Sequence, residues 1–98
     1  MRIEFDDPNL ERLWTDRAFT GGHAPAVVKG FRKAVNAIHA AADERDLLAL
    51  RGLNFHRLRD DRDGQYAMKV NDQWRLIVEI RGAAPNKAMG VLEIVDYH

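Results

Sequence analysis

The chain has 98 residues, of which 46% are hydrophobic and 31% are charged, with 15 basic and 15 acidic side chains and no cysteine. These values are typical of one folded domain, 1–98, and exclude a disordered chain, a disulfide framework and a cysteine-ligated metal site. No apolar run reaches the roughly 20 residues of a membrane helix, and acidic residues stand where a signal peptide needs an apolar stretch. A cytoplasmic protein without a membrane partner is therefore expected.

The chain is expected to open with a short strand and a short helix. Arg2–Phe5 has the character of a strand. Asp7 followed by Pro8 is typical of a helix N-cap and the first helical position. The apolar residues of this helix share one face: Leu10, Leu13 and Trp14.

A second, longer helix is predicted from Pro25 to about Ala42. The segment TGGHAP, 20–25, separates it from the first helix, because its two glycines break a helix and Pro25 can start one. Apolar residues then recur at helical spacing: Val28, Phe31, Val35, Ile38 and Ala42. The acidic stretch 43–46 is expected to end the helix, and 47–53 to be irregular and packed at the edge of the core.

The second half of the chain alternates between apolar and polar residues, as strands do. Gln65–Val70 and Trp74–Arg81 are two such segments. The alternating apolar sets are Tyr66, Met68 and Val70 in the first segment and Trp74, Leu76, Val78 and Ile80 in the second. A three-residue turn, 71–73, would place Val70 opposite Trp74 and bring both sets to one face, whereas a two-residue turn would separate them. The three-residue turn is therefore preferred. The other face then carries polar residues: Gln65, Lys69, Arg75, Glu79 and Arg81.

The order of these segments predicts the fold class. A charged loop, 60–64, precedes the paired strands, a turn at 82–86 follows them, and Ala88–Tyr97 is the last strand. We expect an α+β fold in which two N-terminal helices pack on one face of a small antiparallel sheet of three or four strands.

The distribution of charge leaves two interpretations open. A net charge of zero gives no reason to expect nucleic-acid binding. Residues 51–81, however, hold seven basic and five acidic side chains. This stretch is compatible with a local cationic face and equally with an ordinary surface of mixed charge.

Several polar residues of the second half could together act on a phosphate: His56, Arg59, Lys69, Arg75, Asp96, Tyr97 and His98. Cleavage of RNA by its own 2′-hydroxyl needs a base, an acid and cations that stabilise charge on the phosphoryl oxygens. Histidine, with an unperturbed pKa of about 6.5, can be the base or the acid, and arginine binds phosphate through paired hydrogen bonds. This chemistry needs no metal.

Each of these residues also has an ordinary structural interpretation. His56 alone is compatible with a partly buried strand histidine, Arg75 with a surface cation, and 96–98 with a polar tail. His23 and His39 are incidental. The histidines lack the spacing of zinc ligands, and the sequence has no phosphate-binding glycine loop and no nucleophile elbow. Reasoning from the residues therefore ends at a small α+β domain whose chemistry is open.

A family resemblance goes further. The stretch GLNFHRLRDDRDGQYAMKVNDQWRL, 52–76, together with the final VDYH, 95–98, resembles the HigB branch of the RelE/ParE toxins, also called plasmid-maintenance killer proteins. The matching residues follow the family's order: Gly52, His56, Leu58, Arg62, Gly64, Val70, Asn71, Trp74, Arg75, Asp96, Tyr97 and His98.

The resemblance implies a toxin of a type II toxin–antitoxin module that cleaves mRNA in the ribosomal A site without a metal or another cofactor. Its partners would be the ribosome, mRNA and a HigA-type helix-turn-helix antitoxin, with operator DNA bound only through that antitoxin. By position, the resemblance implies these catalytic residues: His56, Arg75, Asp96, Tyr97 and His98. We add these RNA or phosphate ligands: Arg57, Arg59, Arg62 and Lys69.

A second hypothesis has no nuclease activity. The chain could be a ParE-like toxin that acts on another target, such as gyrase, or a decayed module member that only binds an antitoxin. The neutral net charge agrees with decay, while the nearly complete polar set argues against it.

Overall fold

The structure, a computed structural model, describes residues 1–96. Tyr97 and His98 lie outside the described residues. The elements in chain order are β1 (Arg2–Phe5), α1 (Pro8–Thr15), α2 (Pro25–Ala40), α3 (Glu44–Leu48), β2 (His56–Arg57), β3 (Gln65–Lys69), β4 (Trp74–Arg81) and β5 (Ala88–Asp96). Short 3₁₀ turns cover 51–53 and 60–62. Within 1–96 no helix is both long and apolar enough to cross a bilayer.

The strands form one sheet in the order β1-β5-β4-β3-β2. The four strands of the second half are antiparallel neighbours, whereas β1 joins the edge of β5 in parallel. The α+β class is therefore confirmed. The parallel edge strand adds a fifth strand to the three or four antiparallel strands that the alternation predicted.

The start of α1 is as expected. The Asp7 side chain accepts a hydrogen bond from the Asn9 amide at 2.8 Å, and Pro8 is the first helical residue. The end of α1 is held by α2, because Arg32 Nε donates to the Leu13 carbonyl at 2.9 Å and its Nη2 donates to the Asp16 carbonyl at 3.2 Å. These bonds satisfy carbonyls that a helix end would otherwise leave without a partner.

The second helix is shorter than predicted. It ends at Ala40, so that Ala41 is buried and Ala42 is exposed. The acidic stretch after it does more than end a helix, because the Asp43 carboxylate accepts from the Arg45 amide at 2.9 Å and caps α3. Arg45 also lowers the pKa of Asp43 to about 2, through its side-chain hydrogen bond first of all.

The turn between β3 and β4 has the predicted length. The Val70 amide donates to the Trp74 carbonyl at 3.1 Å, and Lys69 faces Arg75. The Asn71 side chain closes the turn by accepting from the Gln73 and Trp74 amides at 3.0 and 2.8 Å. The two alternating apolar sets of these strands consequently share the face that packs against α1 and α2. We call this the helix-side face, and the opposite one the polar face.

Candidate functional site

The strand register defines which side chains share the polar face. One row crosses four strands: His56, Ala67, Ile77 and Glu93. The next row crosses three strands: Lys69, Arg75 and Val95. Since directly paired residues point to the same side of a sheet, a histidine, two cations and a carboxylate lie on one surface.

A β-bulge brings Glu93 to this face. Ile77 pairs with Glu93, but the next residue, Val78, pairs with Val91, so Leu92 is an extra residue in β5. An extra residue shifts the alternation of the strand by one position. In an uninterrupted strand Glu93 would have pointed to the same side as Val91, toward the helices.

His56 lies at the edge of the polar face and is half-buried. Its Nδ1 is 2.7 Å from the carbonyl oxygen of Asn54, which adopts a left-handed conformation with φ 46°. A carbonyl oxygen only accepts, so Nδ1 carries the hydrogen, and in the neutral ring Nε2 is then the atom with the lone pair. The bond fixes the ring so that Nε2 is the nitrogen suited to exchange a proton.

Arg75 lies on the predicted face but is 8% exposed. Its Nη1 donates to the carbonyls of Asn71 and Trp74 at 2.6 and 3.1 Å, with a longer bond of 3.4 Å to Asp72. One nitrogen of the guanidinium therefore fastens the turn between β3 and β4. Lys69, beside Arg75, forms a 3.0 Å ion pair with Asp72, and its hydrogen bond holds the pKa of Asp72 below the ordinary value.

The charged loop before β3 divides the predicted RNA ligands. Arg59 is exposed at the start of the 3₁₀ turn. Arg62 extends over the polar face, where Nη1 lies 3.1 Å from Gln65 Oε1 and 3.4 Å from Glu93 Oε2. Arg57 pairs with Tyr66, which places it on the helix-side face, where it contacts Asp63 at 3.3 Å. Arg57 is therefore not on the same face as His56.

The last described residue is not where the sequence suggested. Asp96 pairs with Trp74, so its side chain starts from the helix-side face and accepts from Gln73 Nε2 at 3.1 Å. The family resemblance groups Asp96 with His56 and Arg75 as catalytic residues, but the residue of β5 that faces Arg75 is Val95. The predictions for Tyr97 and His98 lie outside the described residues.

Sequence reasoning missed an ion cluster at the other end of the polar face. Arg81 contacts Glu4, Asp6 and Glu79 at 3.2, 2.8 and 3.0 Å. These contacts raise the pKa of Arg81, and its hydrogen bonds lower the pKa values of Glu4 and Asp6. The cluster joins the parallel edge strand to β4.

Glu93 was also missed, although the sequence contains its signal. The apolar helix-side residues of β5 are Met89, Val91 and Ile94. Their spacing changes from two to three, which is the pattern of a bulge. Within residues 1–96, no three His, Asp or Glu side chains converge as metal ligands.

Comparison with known proteins identifies relatives of this fold. Residues 3–98 match the model of the HigB-like toxin family, described as RelE-like toxin of type II toxin-antitoxin system HigB. A solved structure, the YoeB/ParE toxin from Agrobacterium tumefaciens, aligns with a TM-score of 0.59 and 13% sequence identity over 100% of both chains. Among curated proteins none matches the chain. At such low identity, the structural likeness concerns the fold alone.

Proposed function

Because the chain belongs to the RelE-like HigB toxins of type II toxin–antitoxin systems, we propose that its domain, 1–98, is a ribosome-dependent mRNA endonuclease. It would cleave mRNA in the A site through attack of the RNA's own 2′-hydroxyl, assisted by general acid–base catalysis and without a metal. This activity would arrest translation in the cytoplasm.

The observation that carries the proposal is His56 on the polar face. The bond from Nδ1 to the Asn54 carbonyl, 2.7 Å long, leaves Nε2 as the nitrogen that would exchange a proton. Lys69 and Arg75 lie on the same face. A proton-transfer group near cations is what phosphodiester cleavage by an internal hydroxyl requires.

The roles within the reaction follow from the chemistry of each group. Asp96 or a histidine would take the 2′-proton, and His56 or His98 would protonate the leaving 5′-oxygen. Tyr97 would stack on a base or contact the phosphate. Cations would hold the scissile phosphate and its neighbours: Arg59 and Arg75 at the scissile position, and Arg57, Arg62 and Lys69 along the backbone. For Arg57 and Asp96 this role requires reaching around the sheet, since both start from the helix-side face.

Family membership implies an antitoxin partner. We propose that this antitoxin is of the HigA helix-turn-helix type, that it binds the toxin directly, and that operator DNA is contacted only through it. The ribosome and mRNA would be the other partners. A gyrase-directed toxin and a chain that only binds its antitoxin are the competing functions, and neither needs an ordered histidine on the polar face.

The decisive experiment is expression of the toxin alone in a bacterium, with mapping of new mRNA ends. Wild type should arrest growth and produce cleavage sites within translated regions. His56→Ala and His98→Ala should reduce mRNA cleavage at least about 100-fold, the usual loss when a general acid or base is removed, and should no longer arrest growth. His23→Ala is the matched control, because His23 lies in the linker between α1 and α2.

Two outcomes would contradict the nuclease. Growth arrest without new mRNA ends would favour another target such as gyrase. Full cleavage by His56→Ala would show that the polar face does not contain the catalytic histidine. Circular dichroism of each purified variant would establish that lost activity is not lost folding.

A further inference from the structure

Arg62 spans the polar face from one strand to another. It is the last residue of the 3₁₀ turn in the charged loop, and its Nη1 contacts Gln65 at the start of β3 and Glu93 on β5. The strand β4 lies between these two. Neighbouring strands are about 4.8 Å apart, so the three joined side chains together span roughly 10 Å above β4.

Burial on the polar face agrees with this path. Ile77 and Ala67 are 2% and 1% exposed, yet neither belongs to the core cluster on the helix side. Both lie in the row that ends at Glu93. Two apolar residues are therefore buried on the face over which Arg62 extends, and long cationic side chains often lie along apolar surface in this way.

The contact between Arg62 and Glu93 is a weak one. Their side chains are 39% and 51% exposed and the closest atoms are 3.4 Å apart. Ion pairs this exposed contribute little, because water and salt screen them. The pair can therefore orient the guanidinium and still separate at small cost when a better anion arrives.

We propose that Arg62 and Gln65 form a binding subsite for an RNA phosphate, and that the Glu93 carboxylate occupies this subsite in the free protein. The inference rests on the proposed function, since it concerns the same RNA-binding face. A carboxylate and a phosphate both offer a pair of anionic oxygens to a guanidinium. Bound RNA would displace Glu93 from Arg62, and the negative charge of Glu93 would compete with the incoming phosphate.

The bulge at Leu92 supports this assignment. It turns Glu93 away from the helix-side face and toward Arg62. Bulges commonly re-aim a side chain beside a functional site. A contact that served only to hold down the loop would give the opposite result in a binding experiment, because its loss would disorder Arg62 and weaken RNA binding.

The subsite can be tested without cleavage or ribosomes. The probe is a short fluorescein-labelled single-stranded RNA with 2′-O-methyl groups, which cannot be cut, and the readout is fluorescence anisotropy at low salt. Glu93→Gln should tighten binding by about two- to fivefold, the range that an exposed ion pair permits. Arg62→Ala should weaken binding. It should also make the slope of log K against log[salt] shallower by about 0.7, the contribution of one phosphate contact to single-stranded RNA.

A double variant and a charge control make the result specific. Adding Glu93→Gln to Arg62→Ala should give no gain, because the competing anion acts through Arg62. Glu11→Gln removes the same charge from the helix layer and should leave the affinity within twofold of wild type, roughly the change expected for screened long-range charge.

The failures are distinguishable. Weaker or unchanged binding by Glu93→Gln, a gain that persists in the double variant, or no measurable binding by any of these proteins would each overturn the subsite. A confirmed subsite together with growth arrest that leaves mRNA intact would overturn the nuclease while the anion site stands. Thermal unfolding of each variant shows whether the loop change affects folding.

Discussion

The two faces of the sheet bury residues by different means. Leu76 and Ile77 are neighbours in β4 and are 0% and 2% exposed. Leu76 belongs to the core cluster under the helices, whereas Ile77 lies on the opposite, polar face, in the row that ends at Glu93 of the exposed Arg62–Glu93 pair. Their nearly equal exposed fractions therefore do not mean that the two residues are covered in the same way. We expect the close-packed helix side to resist rearrangement more than the polar side chains of the other face, which are joined by an exposed ion pair.

The charges of the polar face are largely paired. Its cations are matched by carboxylates: Arg62 by Glu93, Lys69 by Asp72, and Arg81 by Glu4, Asp6 and Glu79. The basic surplus of the middle of the chain is thus largely compensated within the fold. RNA binding on such a face requires exchange of carboxylates for phosphates, so its strength should depend on which pairs are exposed.

The strongest test of the difference compares two neighbouring truncations. Leu76→Ala should lower the free energy of unfolding by about 3–4 kcal/mol, because the surrounding helices and strands cannot close the cavity. Ile77→Ala should lower it by only about 1–2 kcal/mol, because the polar side chains of this face can rearrange into the space. Urea denaturation of both variants at the same pH measures the two values.

The urea slope serves as the internal control for this pair. An unchanged slope shows that the variants differ in stability and not in the surface that unfolding exposes. Equal losses for Leu76→Ala and Ile77→Ala would mean that the polar face is packed as rigidly around Ile77 as the helix side is around Leu76.

Two glycines allow a second, smaller test. A Cβ on Gly30 would overlap the Val70 carbonyl, so α2 approaches the end of β3 too closely for any side chain. A Cβ on Gly90 would overlap the Arg81 guanidinium instead. Gly30→Ala should destabilise by about 2–3 kcal/mol, because backbone must move, and Gly90→Ala by about 1 kcal/mol, because a side chain can swing away.

Gly52→Ala is the matched control for both. Nothing lies near its added Cβ, and its stability should change by less than about 1 kcal/mol. Thermal unfolding ranks the three variants. A Gly90→Ala loss as large as that of Gly30→Ala would indicate that the Arg81 cluster is as rigid as the helix packing.

The fold was predictable where one periodicity runs through an element. The stripe of α2 and the alternation of β3 and β4 indicated their buried faces, and the apolar sets alone selected the three-residue turn between these strands. The end of α2 was not predictable from the stripe. Alanine is compatible both with continuing a helix and with leaving it, so 40–42 do not mark the end of α2. The next helix, α3, starts at the Asp43 cap.

The site was less predictable, because it depends on register between distant segments. The position of His56 opposite Ala67, and so on the face of Arg75, follows from strand pairing. The strand β5 contains a bulge, so simple alternation could not show that Glu93 faces Arg62 or that Asp96 pairs with Trp74. The hydrogen bonds that Arg75 Nη1 donates to carbonyls of the turn likewise depend on the three-dimensional path of the turn.

The smallest expected effect concerns the pH dependence of the Arg81 cluster. Arg81 lowers the pKa values of Glu4 and Asp6 from their ordinary values of 4.5 and 3.8, chiefly through side-chain hydrogen bonds. A carboxyl with a lower pKa in the folded state stabilises the fold above its unfolded pKa and loses that contribution as pH falls through the folded value. Arg81→Met should therefore be less stable than wild type near neutral pH, and the difference in the free energy of unfolding should narrow on acidification below about pH 4.5.

Urea denaturation at a series of pH values measures this gap, with Arg12→Met on α1 as a control for net charge. Both carboxyls are exposed, so the narrowing should be small and should shrink further in high salt. A gap that stays constant down to about pH 3 would mean that Arg81 stabilises this edge by packing over Gly90 and not through its ion pairs.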